Sequence, residues 1–126
     1  MANNLIVIAE DDPWSAELLA DVLEHHGYRV VHVTNGRDCL AAVAAETPAL
    51  VLMDIHMPGM GGVDALQALR ALPAMQQLKV IALTASVMRH EVASFKGVGF
   101  DGFHPKPVDI EGLLREIAAL LHPTEA

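Results

Sequence analysis

Acidic residues directly follow two short apolar runs of the sequence, and this placement suggests that they form a functional site. The run Leu50–Met53 ends at Asp54, and the run Leu5–Ala9 ends at Glu10 and Asp11. Apolar runs without a polar break are typical of strands buried on both faces of a parallel sheet. A lone loop aspartate usually caps a helix or a turn. Here we instead expect three carboxylates together at the carboxyl ends of two buried strands.

Such carboxylates would meet in the crevice where an open parallel sheet binds ligands. Because like charges repel, they stay ionised together only when a cation compensates them. Oxygen ligands suit Mg²⁺, which keeps waters and shares its coordination with phosphate oxygens. Thr84 and Lys106, at the ends of two further predicted strands, would offer a hydroxyl and a positive charge to phosphoryl oxygens. The combination predicts a metal-assisted phosphoryl acceptor.

The elements that must hold these residues alternate regularly along the chain. Five strands are predicted, at residues 5–9, 28–33, 50–53, 78–83 and 103–104. Five helices are predicted, from Pro13 towards Gly27, from Gly36 to Glu46 with Leu40, Val43 and Ala44 inward, from Val63 to before Pro73, from Ser86 to about Lys96, and from the cap Asp109 to Leu121. This alternation predicts an α/β fold with a doubly wound parallel sheet. The second strand alternates polar and apolar residues and the fifth meets Pro105, so both are expected at sheet edges.

Length and composition narrow the possible classes of protein. The 126 residues suit a single domain over residues 1–126, with a core from about 5 to 121. The net charge of −8, with eight scattered Lys and Arg residues, argues against direct nucleic-acid binding. The first apolar run is too short for a signal peptide or a membrane span, so we expect a cytoplasmic protein without membrane contact. The single cysteine, Cys39, is expected to be a small buried hydrophobe.

Four motifs follow one another along the chain: AEDDP at 9–13, MDIHMPGMGG at 53–62, LTA at 83–85 and GFDGFHPKP at 99–107. In this order and at this spacing they resemble the response-regulator receiver domain of two-component signalling. The resemblance extends from Leu5 to about Leu121 and implies the flavodoxin-like strand order 2-1-3-4-5. It implies that Asp54 takes a phosphoryl group from a histidine kinase or a histidine phosphotransfer protein, with Mg²⁺ or Mn²⁺ as cofactor. Such a module catalyses its own phosphorylation and dephosphorylation, and it signals by binding a downstream protein partner.

The resemblance also implies roles for individual residues. Asp11 would bind the metal directly and Glu10 through water, and the backbone carbonyl of His56 would complete the protein ligands. Thr84 and Lys106 would bind the phosphoryl group. Two further features are implied, the switch aromatic Phe103 acting together with Thr84, and a cis peptide between Lys106 and Pro107.

This chain departs from the family pattern at four places. Gly61 stands where many relatives have an acid, and Phe103 lacks the hydroxyl of the tyrosine often found there. The pair His104-Pro105 before the lysine is unusual and would stiffen the fifth strand. His56 occupies a position that tunes phosphate lifetime in the family, although a solvated loop histidine is an equal interpretation.

Several alternatives stay open at this point. The chain fits a stand-alone receiver, favoured by Met1 and the short tail, or a fragment of a hybrid histidine kinase or larger regulator. A metal-dependent phosphatase is disfavoured because His56 stands where it would need an acid. The intact acids, Thr84 and Lys106 argue against a receiver that has lost phosphorylation and only binds partners. The lack of a phosphate loop after the first strand argues against a flavodoxin. A metal site at His25-His26 is disfavoured because adjacent helix residues face different ways.

Overall fold

The computed structural model describes residues 3–57, 59–84 and 99–122, which form one parallel sheet and the helices packed on it. The strands are β1 (Leu5–Ala9), β2 (Arg29–Val33), β3 (Leu50–Asp54), β4 (Lys79–Thr84) and β5 (Gly102–Pro105). The described helices are α1 (Pro13–His25), α2 (Gly36–Glu46), α3 (Gly62–Arg70), a 3-10 turn (Pro73–Met75) and α4 (Ile110–Leu121). The predicted helix from Ser86 to about Lys96 lies outside the described residues.

The sheet order is β2-β1-β3-β4-β5 and every pairing is parallel, so the predicted fold class and strand order are confirmed. The strands β2 and β5 lie at the edges, where their polar residues and Pro105 were expected. Proline has no N–H to donate to a neighbouring strand. An edge strand tolerates it because such a strand has a neighbour on only one side. All five carboxyl ends therefore lie along one side of the sheet.

Alternate residues of the central strands enter two apolar cores, one on each face of the sheet. Val7 and Val51 pack towards α2 and α3, whereas Ile8 and Leu52 pack towards α1 and α4. Because β1 and β3 are buried on both faces, an acid can follow them only at their carboxyl ends, where the crevice begins.

The aspartates that precede α1 and α4 behave differently as caps. The Asp12 side chain accepts the Trp14 N–H at 3.1 Å and so starts α1. Asp109 occupies the N-cap position of α4 but makes no side-chain cap hydrogen bond. The prediction that Ala44 faces inward is wrong, because Cys39 and Val43, one turn apart, centre the buried face of α2 and leave Ala44 exposed.

Cys39 is fully buried, as predicted, and burial raises the pKa of its thiol to about 12. Since the thiolate is the reactive form, this side chain serves packing. No described helix combines the length and apolar character needed to cross a membrane.

A histidine–glutamate pair joins the edge strand β5 to α4. The His104 Nε2 lies 2.7 Å from the Glu116 Oε1, and the His104 side chain is largely buried. The Glu116 carboxylate lies over Gly102, where an added Cβ would overlap it. Gly102 thus leaves the space through which Glu116 reaches His104.

Candidate metal and phosphoryl site

Three carboxylates converge beyond the carboxyl ends of β1 and β3. Glu10, Asp11 and Asp54 each offer an oxygen, and these oxygens lie within 4.8 Å of one another. Glu10 and Asp54 are buried, whereas Asp11 is exposed. A hard cation with retained waters fits this set, because all the donors are oxygens and one side is open to solvent. It is the only such cluster among the described residues, so His25 and His26 do not contribute to one.

Lys106 links the two buried carboxylates. Its Nζ lies 2.7 Å from Glu10 Oε2 and 3.1 Å from Asp54 Oδ2. The backbone N–H of Lys106 donates to the Thr84 carbonyl at 2.7 Å, which ties the residue to the end of β4. The peptide between Lys106 and Pro107 is cis, as the resemblance implied. The ammonium group is therefore fixed between two acids that come from different strands.

The protonation of this cluster is set by burial and by the short contacts. Burial raises the pKa of Glu10, the nearby Asp54 charge adds to the rise, and the Lys106 hydrogen bond only partly opposes it. For Lys106, burial lowers the pKa, but the hydrogen bonds to Glu10 and Asp54 outweigh burial and raise it. Lys106 consequently stays charged. For Glu10, ionisation in the folded protein costs free energy, because burial disfavours the charged carboxylate.

Because ionising the buried Glu10 costs free energy, the stability of the folded protein should depend on pH. Because folding raises the pKa of Glu10, the native protein holds a proton there more tightly than the unfolded chain does. That contribution is fully present below about pH 4.3 and is lost as pH rises through the raised native value. We therefore expect Glu10→Gln, which keeps a neutral group there, to gain stability relative to the native protein between pH 4 and pH 7.

The measurement is urea unfolding of both proteins in EDTA at the two pH values. The control is Glu24→Gln, which neutralises an exposed glutamate of α1. An unchanged stability difference between Glu10→Gln and the native protein at the two pH values would contradict the prediction.

Asp54 ends β3 and is held by its own loop. Its Oδ1 accepts the His56 N–H at 3.0 Å, and the Ile55 N–H donates to the Leu83 carbonyl at 2.9 Å. The His56 side chain is exposed. The carboxylate thus has one oxygen bonded to the loop backbone and the other directed to Lys106.

Gly62 brings α3 against the backbone of Asp54. A Cβ at this position would lie 2.5 Å from the Asp54 carbonyl oxygen and 2.9 Å from the Ile55 Cα. The sequence analysis included this glycine only as the end of the motif at 53–62 and did not predict the close contact. The signal for it was a second glycine immediately before a helical pattern.

Thr84 and Phe103 lie on the adjacent strands β4 and β5. Thr84 is fully buried at the end of β4, and Phe103 is partly exposed. In the register of the two strands, Phe103 is opposite Ala82 and Thr84 is opposite Pro105. The structure therefore places the two predicted switch residues on neighbouring strands at this end of the sheet.

Trp14 and Leu18 project from α1 beside the crevice. Their exposed fractions are 77% and 52%, so both are available to a partner. A cavity of about 250 Å³ runs from them to Lys106 and Pro107. The sequence analysis did not identify this apolar surface.

Comparison with known proteins assigns the chain to a family. The model of the response regulator receiver domain matches residues 6–118. The protein PilH of Pseudomonas aeruginosa is 36% identical over 116 residues, which cover 92% of this chain and 96% of PilH. The receiver domain of a signal transduction histidine kinase from Syntrophus aciditrophicus is 32% identical with a TM-score of 0.87, covering 98% of this chain and 96% of that one.

A third relative bears on the metal. The receiver domain of a sensor histidine kinase from Pseudomonas aeruginosa is 25% identical with a TM-score of 0.87, covering 95% of this chain and 98% of that one. That structure has a magnesium ion coordinated in its active-site cleft. The present chain belongs to the response regulator receiver domain family. Its function is accordingly that of a phosphorylation-dependent switch in two-component signalling.

Proposed function

We propose that Asp54 is the residue that accepts the phosphoryl group, from a histidine kinase or a histidine phosphotransfer protein. The observation that carries this proposal is the buried Asp54 carboxylate, 3.1 Å from the Lys106 ammonium and within the cluster of Glu10 and Asp11. Asp11 would bind Mg²⁺ directly and Glu10 through water, with the His56 carbonyl as a further ligand. Mn²⁺ has the same preference for oxygen donors and would serve in its place.

Apart from the nucleophile Asp54, the residues of the site would contribute positioning and charge neutralisation to the proposed reaction. An Asp54 oxygen attacks phosphorus, and the bond from phosphorus to the donor's histidine nitrogen breaks with its electron pair staying on that nitrogen. The metal, when bound, would neutralise charge on the phosphoryl oxygens. Lys106 already lies beside Asp54 and would pair with those oxygens as they arrive, and the Thr84 hydroxyl would donate to another of them.

Signalling would follow from the same contacts. Drawing the Thr84 hydroxyl onto a phosphoryl oxygen frees space beside Phe103 on the next strand, and the ring would turn inward. A partner that binds this rearranged surface more tightly would then read the phosphorylated state. His56 would influence how long the phosphate lasts, because it follows Asp54 by two residues and its side chain is exposed. The cytoplasmic location stays a prediction.

The test of the proposal is intact-mass analysis after incubation with acetyl phosphate. We expect one phosphoryl group to add in the presence of Mg²⁺ and none in excess EDTA, because the carboxylate cluster repels the incoming phosphoryl oxygens when no cation is bound. An adduct that forms equally in EDTA would contradict the metal-assisted mechanism.

We further propose that Trp14 and Leu18 form the surface on which the protein phosphodonor docks. They are one helical turn apart on α1, both are exposed, and the cavity beside them leads to Lys106. A large exposed aromatic residue at such a place is typical of a binding hot spot. Glu17 and Asp21 border the surface, so the matching face of the donor should carry basic groups.

This docking surface predicts a difference between large and small phosphodonors. We expect Trp14→Ala and Leu18→Ser to slow phosphotransfer from a histidine phosphotransfer protein about tenfold or more, a typical loss at a hot spot. Phosphorylation by acetyl phosphate should stay at the native rate, because that donor needs only the crevice. Leu72→Ser, which changes an exposed leucine after α3, is the matched control. Equal slowing with both donors would mean that the substitutions disturb the crevice itself.

We propose two settings for this domain, a stand-alone regulator and a domain of a hybrid histidine kinase. PilH, which the chain covers over nearly its whole length, supports a stand-alone regulator. The receiver domains from two histidine kinases support a domain of a hybrid kinase equally well. The proposed chemistry at Asp54 is the same in either setting.

A further inference from the structure

An exposed histidine on the edge strand β2 is bonded to the backbone of the acidic loop. The Nε2 of His32 lies 2.8 Å from the backbone carbonyl oxygen of Glu10. A carbonyl oxygen only accepts hydrogen bonds, so Nε2 carries the hydrogen, and this holds for the neutral ring and for the imidazolium alike. The bond therefore does not depend on the charge of His32.

The same strand also binds the other peptide group of Glu10. The Glu10 N–H donates to the Val33 carbonyl at 3.0 Å, which continues the β1–β2 pairing by one residue. Beyond that point the ladder ends, and the His32 side chain takes over the role that a strand N–H would have played. Both backbone polar groups of Glu10 are thus satisfied by β2.

The peptide that His32 holds joins Glu10 to Asp11, two of the three clustered acids. The next residue is fixed independently, because the Asp12 N–H donates to Glu10 Oε1 at 3.1 Å and Asp12 caps α1. A trans peptide is planar, so orienting the Glu10 carbonyl also sets the direction of the Asp11 N–H and the position of the Asp11 Cα. Asp11 is exposed and takes its position from these two anchored neighbours.

The bond also preorganises the loop. The His32 N–H holds the Glu10 carbonyl oxygen against β2, so the Glu10–Asp11 peptide loses less conformational freedom when a cation binds. Groups that orient ligands in this way commonly affect metal affinity about tenfold or more.

We propose that His32 is a positioning residue for the metal site, and that it holds the Glu10–Asp11 peptide in the orientation that binds the cation. The inference rests on the proposed function, since it assumes that Mg²⁺ binds at these acids. His32 acts on affinity for the metal and not on the transfer of the phosphoryl group.

The experiment compares the native protein with His32→Ala and His32→Gln. Glutamine places an amide donor near the position of Nε2, so it restores the bond without an imidazole ring. The control is His26→Ala. The Nδ1 of His26 also contacts a backbone carbonyl oxygen, that of Val22 at 2.9 Å, but at the end of α1 away from the acidic cluster. Two quantities are measured: the Mg²⁺ dissociation constant by calorimetry at constant ionic strength, and amide hydrogen exchange at residues 10–12 without metal.

We expect His32→Ala to weaken Mg²⁺ binding about tenfold and to speed exchange at residues 10–12. His32→Gln should restore most of the affinity, and His26→Ala should match the native protein in both measurements. Native affinity in His32→Ala, or a loss that glutamine does not rescue, would overturn the proposal.

The exchange measurement separates the two proposals. If the native protein bound no Mg²⁺ at all, the proposed function would fail, while faster exchange in His32→Ala and its rescue by glutamine would still support the anchoring of the loop. Equal exchange in all the variants would overturn the role of His32 whatever the metal does. Because His32 is exposed, we expect all variants to fold, which urea unfolding checks.

Discussion

Replacement of Asp54 by asparagine is expected to abolish phosphoryl acceptance while leaving the protein folded. The amide has almost the same shape, and its oxygen can still accept the His56 N–H that now binds Asp54 Oδ1 at 3.0 Å. It lacks the charge and the nucleophilic oxygen that attack on phosphorus requires. Intact mass after incubation with acetyl phosphate and Mg²⁺ should therefore show no adduct.

The control for this loss is Asp64→Asn, which alters an exposed aspartate in the first turn of α3. It should accept one phosphoryl group as the native protein does. An adduct on Asp54→Asn at the native level would locate the acceptor at another residue, and peptide mapping would identify it.

Replacement of Lys106 by methionine is expected to cost about 2–3 kcal/mol of unfolding free energy in EDTA. The ammonium lies 2.7 Å from Glu10 and 3.1 Å from Asp54, and both of those carboxylates are buried. Methionine conserves much of the length and volume of the side chain but leaves the two carboxylates without this cation. We expect Mg²⁺ to recover part of the loss, since a bound cation would supply the missing positive charge.

A double variant makes this prediction specific to the charges. In Glu10→Gln/Lys106→Met one unpaired buried carboxylate is gone, so the double variant should be more stable in EDTA than Lys106→Met alone. Lys79→Met, at the amino end of β4 and away from the crevice, should lose much less. If the two lysine variants lost equal stability, or if the double variant were the weaker, the charge argument would be wrong.

Much of the fold follows from the sequence because its strongest signals are local. The runs Leu5–Ala9 and Leu50–Met53 are uniformly apolar, which requires burial on both faces. An acid directly after such a run can lie only at the end of the strand. Since the strands are parallel, residues far apart in the chain must then meet, which is why the convergence of Glu10, Asp11 and Asp54 could be predicted.

The features that were missed depend on register and on contacts between a side chain and a distant backbone. His32 reaches the Glu10 carbonyl only because β2 pairs with β1 in the observed register. Gly62 is needed only because α3 starts against the Asp54 carbonyl. Ala44 was misplaced because alanine suits either face of a helix, so Cys39 and Val43 decide which side is buried. None of these contacts has a periodic signature in the sequence.

The contact between Gly102 and Glu116 makes β5 and α4 a matched unit for protein engineering. A chimaera that takes this α4 but receives β5 from another receiver loses His104 as the partner of Glu116, and a residue with a Cβ at position 102 would push the Glu116 carboxylate aside. The reverse exchange carries the opposite risk, since His104 would enter a helix interface without its acid. Chimaeric receivers built from this protein should therefore place their junction before Gly102, so that β5 and α4 are transferred together.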